Sequence, residues 1–230
     1  ALLSLTGETQ AFVDGAGATA ASVRIAADSD NTAVTTAKAS PGGSEGNNAS
    51  PKSRTNDHAK TSDGDVAISA ALAFNIVDVE TLAWIAAADP LGTTTVTSAG
   101  AQVVHAGLHN AVTADADGTT VETLATGVGV AVAVNVATPV TTSASVERAA
   151  ITGSTVTLEA TAPSKSTYTA TAKSGAGASN VGVAGSLALN VVTTTATAAP
   201  VGAPVFDGDL VLSATSNNET TATSQAKEDG

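Results

Sequence analysis

Three asparagines occupy the same place in a repeated apolar pattern. Asn75, Asn135 and Asn190 lie 60 and 55 positions apart (135 − 75 and 190 − 135), each after a run that alternates large and small apolar residues. An amide side chain both donates and accepts hydrogen bonds. Such a row either binds a ligand along an exposed surface or bonds to itself across repeats. Because strand alternation places each Asn opposite the large Val and Leu residues, we predict a structural, internal Asn stack.

Two histidines, His105 and His109, are spaced four residues apart. On a helix this spacing suits zinc. On a strand the two rings are about 13 Å apart, at about 3.3 Å per residue, which is too far to share a metal ion. Repeat alignment makes this region a strand or a turn and places His105 at the position of Glu159 and Ser213, which are predicted to face outward. We therefore predict a solvated residue and no zinc site.

Acidic residues recur at alternate positions, an arrangement that can hold calcium when it lies in a loop. The pairs are Asp28 and Asp30, Asp63 and Asp65, Asp115 and Asp117, and Asp207 and Asp209. None belongs to a complete calcium loop with a closing Glu, and turn formation and solubility account for most of them. Asp28, Asp30, Asp115 and Asp117 are kept as calcium candidates, and no other cofactor is predicted.

The sequence offers no catalytic constellation. A polysaccharide lyase or hydrolase needs clustered carboxylates with a base or an Arg on one outer face. The positions predicted to face outward hold mainly Thr, Ser and Ala. Because no Ser/His/Asp set, phosphate loop or nucleotide fingerprint occurs either, we predict no catalytic residues and no enzyme.

Composition narrows the possible partners. The net charge is −12 and only 13% of residues are charged, whereas nucleic-acid binding needs clustered Lys and Arg. The absence of Cys excludes disulfides and thiolate metal sites. The longest apolar runs are about a dozen residues, short of the ~20 of a membrane helix. These features predict no nucleic-acid partner and no membrane insertion.

A second repeated element follows the Asn strand and the separate Thr-rich strand predicted after it. Its anchor residues are Ile25, Val104, Leu158 and Leu212, of which the last three lie 54 apart (158 − 104 and 212 − 158). Phe12, Trp84 and Ser145 also occupy equivalent places. One unit is predicted to hold four strands in about 55 residues. The array is a single domain, 1–230, with units 1–63, 64–126, 127–180 and 181–230, and neither end shows a polar cap.

Repeated strands with short turns predict an all-β fold, a parallel β-helix (β-solenoid) with roughly two coils per unit. The alternative is an antiparallel β-sandwich, which few two-residue hairpin turns support. The Val/Ala strands are uncharged on both faces. Either a loop covers the small-residue face, or that face is a flat contact surface. Residues 41–63, polar and Gly-rich, are predicted to form an inserted exposed loop.

The repeats resemble those of very large bacterial filamentous adhesins of the leukotoxin-like and filamentous-haemagglutinin-like kind, exported by autotransporter or two-partner routes. Residues 183–195 and 208–217 carry the resemblance, which covers nearly the whole chain except 41–63. It implies an extracellular or cell-surface stalk, filament or cell-contact segment without catalytic residues. The implied partners are other copies, neighbouring repeats of a longer chain, surface glycans or host cells. The alternative function is a carbohydrate-binding or polysaccharide-degrading β-helix.

Overall fold

The computed structural model describes residues 1–15, 17–39, 66–89, 92–120, 124–162 and 164–227, and these form strands and no helix. The predicted loop 41–63 lies outside the described residues. In chain order the strands are β1 (Leu2–Asp14), β2 (Ala18–Ala20), β3 (Val23–Lys38), β4 (Val66–Ala86), β5 (Thr94–Ser98), β6 (Gln102–Thr119), β7 (Leu124–Glu147), β8 (Ala149–Thr161), β9 (Ser166–Gly175), β10 (Ala178–Val201), β11 (Val205–Thr215) and β12 (Asn218–Lys227).

All the strand pairings found among these residues are parallel. One sheet has the order β1-β4-β7-β10. The second sheet contains two parallel runs, β2-β5-β8-β11 and β3-β6-β9-β12, joined where β6 pairs with β8. The predicted all-β fold with parallel strands is thus confirmed. The antiparallel sandwich is wrong, since its strands would pair in the opposite direction.

Each strand pairs with its counterpart in the next unit. Asn75 lies opposite Asn135, and Asn135 opposite Asn190. The anchors Ile25, Val104, Leu158 and Leu212 are also in register from strand to strand. Because no strand in the described part of the chain pairs with another of its own unit, one unit forms one layer, and the prediction of roughly two coils per unit is wrong.

Strand length explains this difference. The Val/Ala segment does not end in a turn but continues into the Thr-rich segment, which gives single strands of 21 residues in β4 and 24 in β7 and β10. A register shift between Val77 and Val79 marks a bulge where the two segments join. Two of the four strands predicted per unit are therefore one strand. Each unit therefore contributes one long strand to the first sheet and then its remaining strands to the second sheet.

Small residues line the interface between the sheets. Ala71, Ala73, Ala131 and Ala133 of the first sheet pack against four alanines of the second, which are Ala114, Ala116, Ala170 and Ala172. The small-residue face of the Val/Ala strands is thus in the core, and the large residues point away from it. The prediction that a loop covers the small-residue face, or that this face is an outer contact surface, is wrong, because the second sheet covers it.

Larger side chains fill the rest of the core. One cluster contains Ile85, Ile151 and Leu158. Another is built around Tyr168, which is fully buried beside Leu108 and Val112. Burial raises the pKa of the Tyr168 hydroxyl, and a hydrogen bond from Asn110 opposes this shift.

Tyr168 makes stability sensitive to alkaline pH. The unfolded chain releases the phenolic proton near pH 10.0, while the folded chain still holds it. The free energy of unfolding should therefore fall above that pH, by at most about 1.4 kcal/mol per pH unit, until the folded pKa is passed. Urea unfolding at a series of alkaline pH values measures this. Tyr168→Phe should remove this part of the pH dependence. An unchanged slope in the variant would assign the loss to other groups.

Candidate functional site

The three repeated asparagines form a buried ladder between the sheets. The Nδ2 of Asn75 donates to the Oδ1 of Asn135 at 2.8 Å, and the Nδ2 of Asn135 donates to the Oδ1 of Asn190 at 2.8 Å. Each amide also donates to a carbonyl of the facing sheet, those of Thr113, Thr169 and Thr221. Asn75 and Asn135 are fully buried. The ladder therefore joins three layers and ties the two sheets together.

Sequence reasoning missed a second amide ladder in the facing sheet. The Nδ2 of Asn31 donates to the Oδ1 of Asn110 at 3.0 Å, and the Nδ2 of Asn110 donates to the Oη of Tyr168 at 3.3 Å. A signal existed, because both asparagines lie six residues after their anchor (31 − 25 and 110 − 104). The third layer breaks the pattern, with Tyr168 supplying the partner.

His105 bridges carboxylates from the two neighbouring layers. Its Nε2 lies 3.0 Å from the Oδ1 of Asp28, and its Nδ1 lies 3.1 Å from the Oε2 of Glu159. The His105 side chain is only 12% exposed, so the predicted solvated residue is wrong, since both carboxylates cover the ring. Gly107 leaves room for this contact, because a Cβ there would clash with Asp28.

The calcium candidates lie inside strands rather than in loops. Asp28 and Asp30 are on β3, where they pair with His105 and His109. Asp115 and Asp117 are on β6, and Asp117 accepts hydrogen bonds from Thr119. Within the described ranges no three His, Asp or Glu side chains converge on a position that could hold a metal ion. These four aspartates adopt strand geometry, whereas the calcium hypothesis requires them to lie in a loop.

More than half of the large apolar side chains that are exposed in the described residues lie on the outer face of the first sheet. Nine large apolar side chains on it are between 38% and 55% exposed: Ile68, Leu72, Ile76, Val130, Val181, Val183, Leu187, Leu189 and Val191. We call these nine the apolar face. The outward positions among them hold Ala, Gly, Val, Phe and one Thr, Thr126. The face is uncharged, and Leu72, Val132 and Leu187 form one row across it.

The size of this face is unusual for an ordinary surface. Its nine large side chains are each more than a third exposed and lie near one another on one sheet, whereas exposed apolar residues on an ordinary surface are mostly scattered singly. A contiguous exposed apolar surface of this kind is typical of a contact site.

Toward the carboxyl ends of the strands, the outer face of the first sheet carries acidic and aromatic side chains in place of aliphatic ones. Asp78 and Glu80 follow the apolar residues of β4, and an aromatic pair follows them. Phe12 and Trp84 are opposite each other in neighbouring strands, with ring centroids 4.7 Å apart and ring planes 10° from parallel. The two rings therefore form a stacked aromatic pair at the surface.

No stretch of helix suited to crossing a membrane occurs in the part of the chain that the structure describes. Neither a protein-family model, nor a curated protein, nor a solved structure matches this sequence.

Proposed function

We propose that this chain is a β-solenoid segment of a very large secreted or surface-attached bacterial protein, and that it acts by contact. It would serve as a stalk, a filament or a cell-contact surface and would catalyse no reaction. The single observation that carries this proposal is the uncharged apolar face of the first sheet. The repeat resemblance to filamentous adhesins supports the extracellular setting.

The layered construction supports a mechanical role. Parallel strands pair from layer to layer, so each unit mainly contacts its neighbours, as in repeat proteins. The Asn75–Asn135–Asn190 ladder adds hydrogen bonds along the direction in which the layers stack. A rod built in this way resists bending and separation, because many bonds must break together.

The apolar face gives the rod a means of association. Covering apolar surface releases roughly 25 cal/mol per Å², and the face has no charged group that would need a partner. A second rod of the same kind offers the same surface. The net charge of −12 opposes close approach, so association should strengthen as salt screens the charges.

Light scattering over a concentration series, with electron microscopy of the same samples, tests this association. The test variant replaces Leu72, Val132 and Leu187, one row of the face, by Lys. We expect the unaltered chain to gain mass with concentration. The variant should need at least about a hundredfold higher concentration, because three ammonium groups cannot be buried in an apolar contact.

The matched control places Lys in the polar half of the same three strands, at Glu80, Thr141 and Thr195, which also form a row. It should associate like the unaltered chain, apart from the smaller repulsion that its added positive charge brings. A chain that stays monomeric at every concentration, or a face variant that associates as well as the control, would contradict a contact function for this face.

A further inference from the structure

The aromatic stack at the surface contains rings from the first two layers but none from the third. Phe12 in β1 is in register with Trp84 in β4, and Trp84 is in register with Ser145 in β7. Because β4 lies between β1 and β7, Phe12 covers the indole face on one side. The opposite face of the indole turns toward Ser145. Since strands are about 4.8 Å apart, the missing third ring leaves a space one ring deep.

That space is an open cleft of about 330 Å³, within the size range of small-ligand sites. It is lined by Trp84 and Leu82 of β4 and by Ser143 and Ser145 of β7. Glu147 lies at one end and also forms an ion pair with Arg148. The cleft thus combines one flat aromatic surface with hydroxyl groups and a carboxylate.

We propose that this cleft binds one pyranose ring of a neutral saccharide, stacked on the indole of Trp84. An aromatic face carries partial negative charge, which suits the C–H groups on the flat side of a sugar ring. Sugar hydroxyls can donate to the Glu147 carboxylate and exchange hydrogen bonds with Ser143 and Ser145. The Phe12 stack holds the indole in place before the ligand arrives, which lowers the entropy lost on binding.

The surroundings of the cleft select among ring-shaped ligands. An aromatic side chain would fill the same space but would leave the serine hydroxyls and Glu147 facing a ring edge without matched partners. An acidic sugar would meet a chain of net charge −12, and Arg148 beside the cleft is already paired with Glu147. A neutral sugar meets neither obstacle. The site lies beyond the apolar face on the same strands, so it stands whether or not the chain self-associates.

Fluorescence of the single tryptophan reports directly on the cleft. The chain is titrated with cellohexaose, chitohexaose and mannohexaose, and with a polygalacturonate oligomer as the acidic comparison. At least one neutral oligomer should give a saturable shift of the emission to shorter wavelength, with a Kd on the order of 1 mM. The acidic oligomer should bind at least about tenfold more weakly.

Two substitutions at one position separate stacking from general surface effects. Ser145→Phe supplies the third ring of the stack and fills the cleft, so it should weaken saccharide binding at least about tenfold while the Tm stays equal or rises. Ser145→Ala, the matched control, keeps the space and should change the Kd less than about threefold. Both variants retain Trp84 and the same fluorescence readout.

Three results would overturn the proposal. They are no spectral change with any of the three neutral oligomers, a Ser145→Phe variant that binds as tightly as the unaltered chain, or saturable binding of p-cresol in place of the saccharides. The last result would assign the cleft to an aromatic side chain. Because scattering does not enter this experiment, its failure leaves the contact function untouched.

Discussion

Replacing Asn135 by alanine is expected to lower the free energy of unfolding by about 3–5 kcal/mol. Its Nδ2 donates to the Thr169 carbonyl at 2.7 Å and to the Oδ1 of Asn190, and its Oδ1 accepts from Asn75. The substitution leaves those groups without their partner in a site that is fully buried. Urea unfolding followed by circular dichroism measures the loss.

Asn190→Ala is the matched control for this prediction. Asn190 makes the same kind of bonds but is half-buried, so water can replace part of what is lost. We expect a cost of about 1 kcal/mol. The double variant Asn75→Ala with Asn135→Ala should lose less than the sum of the two single losses, since both belong to one network. Equal losses at Asn135 and Asn190 would contradict a buried ladder.

The register of the layers was predictable from the sequence because equivalent residues of a repeat stack. Equal spacing identified the alignment of Asn75, Asn135 and Asn190, and that of the apolar anchors, which the strand pairing reproduces. Parallel all-β structure follows from the same logic, since like residues come opposite each other only when strands run in the same direction.

Which face of the Val/Ala strands lies inside was not settled correctly, although the sequence contained the answer. Asn135 shares its side of the strand with Gly129, Ala131 and Ala133, because all four are at odd positions. An internal Asn stack and an outer small-residue face therefore exclude each other. A buried amide row fixes its own face as the interior, which leaves the large Val and Leu side chains outside.

The number of layers per unit and the presence of the cleft could not be predicted from the sequence, because both depend on tertiary structure. Sequence spacing does not show whether a Thr-rich segment turns back or continues the strand, and the pairing of β4 with β7 shows that it continues, across one register shift between Val77 and Val79. Ser145 aligned with Trp84 in the repeats. Only the stacking of the Trp84 ring on Phe12 at 4.7 Å turns that difference into a cleft.

Gly129→Ala is expected to destabilise the chain by about 3 kcal/mol or more. Gly129 points into the core, where an added Cβ would clash with the carbonyl oxygen of Gly175 and lie 2.8 Å from that of Gly118. These are backbone atoms of the facing sheet, which a rotamer change cannot move. The substitution must push the sheets apart or distort β7. The cluster of alanines next to Gly129 contains no large side chain, so these alanines would lose their contacts across the two sheets as well.

Gly185→Ala provides the opposite result in the neighbouring strand. A Cβ at Gly185 would have no heavy atom within 4 Å, because the residue lies on the outer face. Glycine weakens strand interiors through the freedom it keeps in the unfolded chain. We therefore expect this variant to be more stable by about 0.5 kcal/mol. Thermal and urea unfolding of both variants measure the contrast. If Gly129→Ala were tolerated as well as Gly185→Ala, the sheets would not approach closely there, and the small-residue face would not be the interior of this protein.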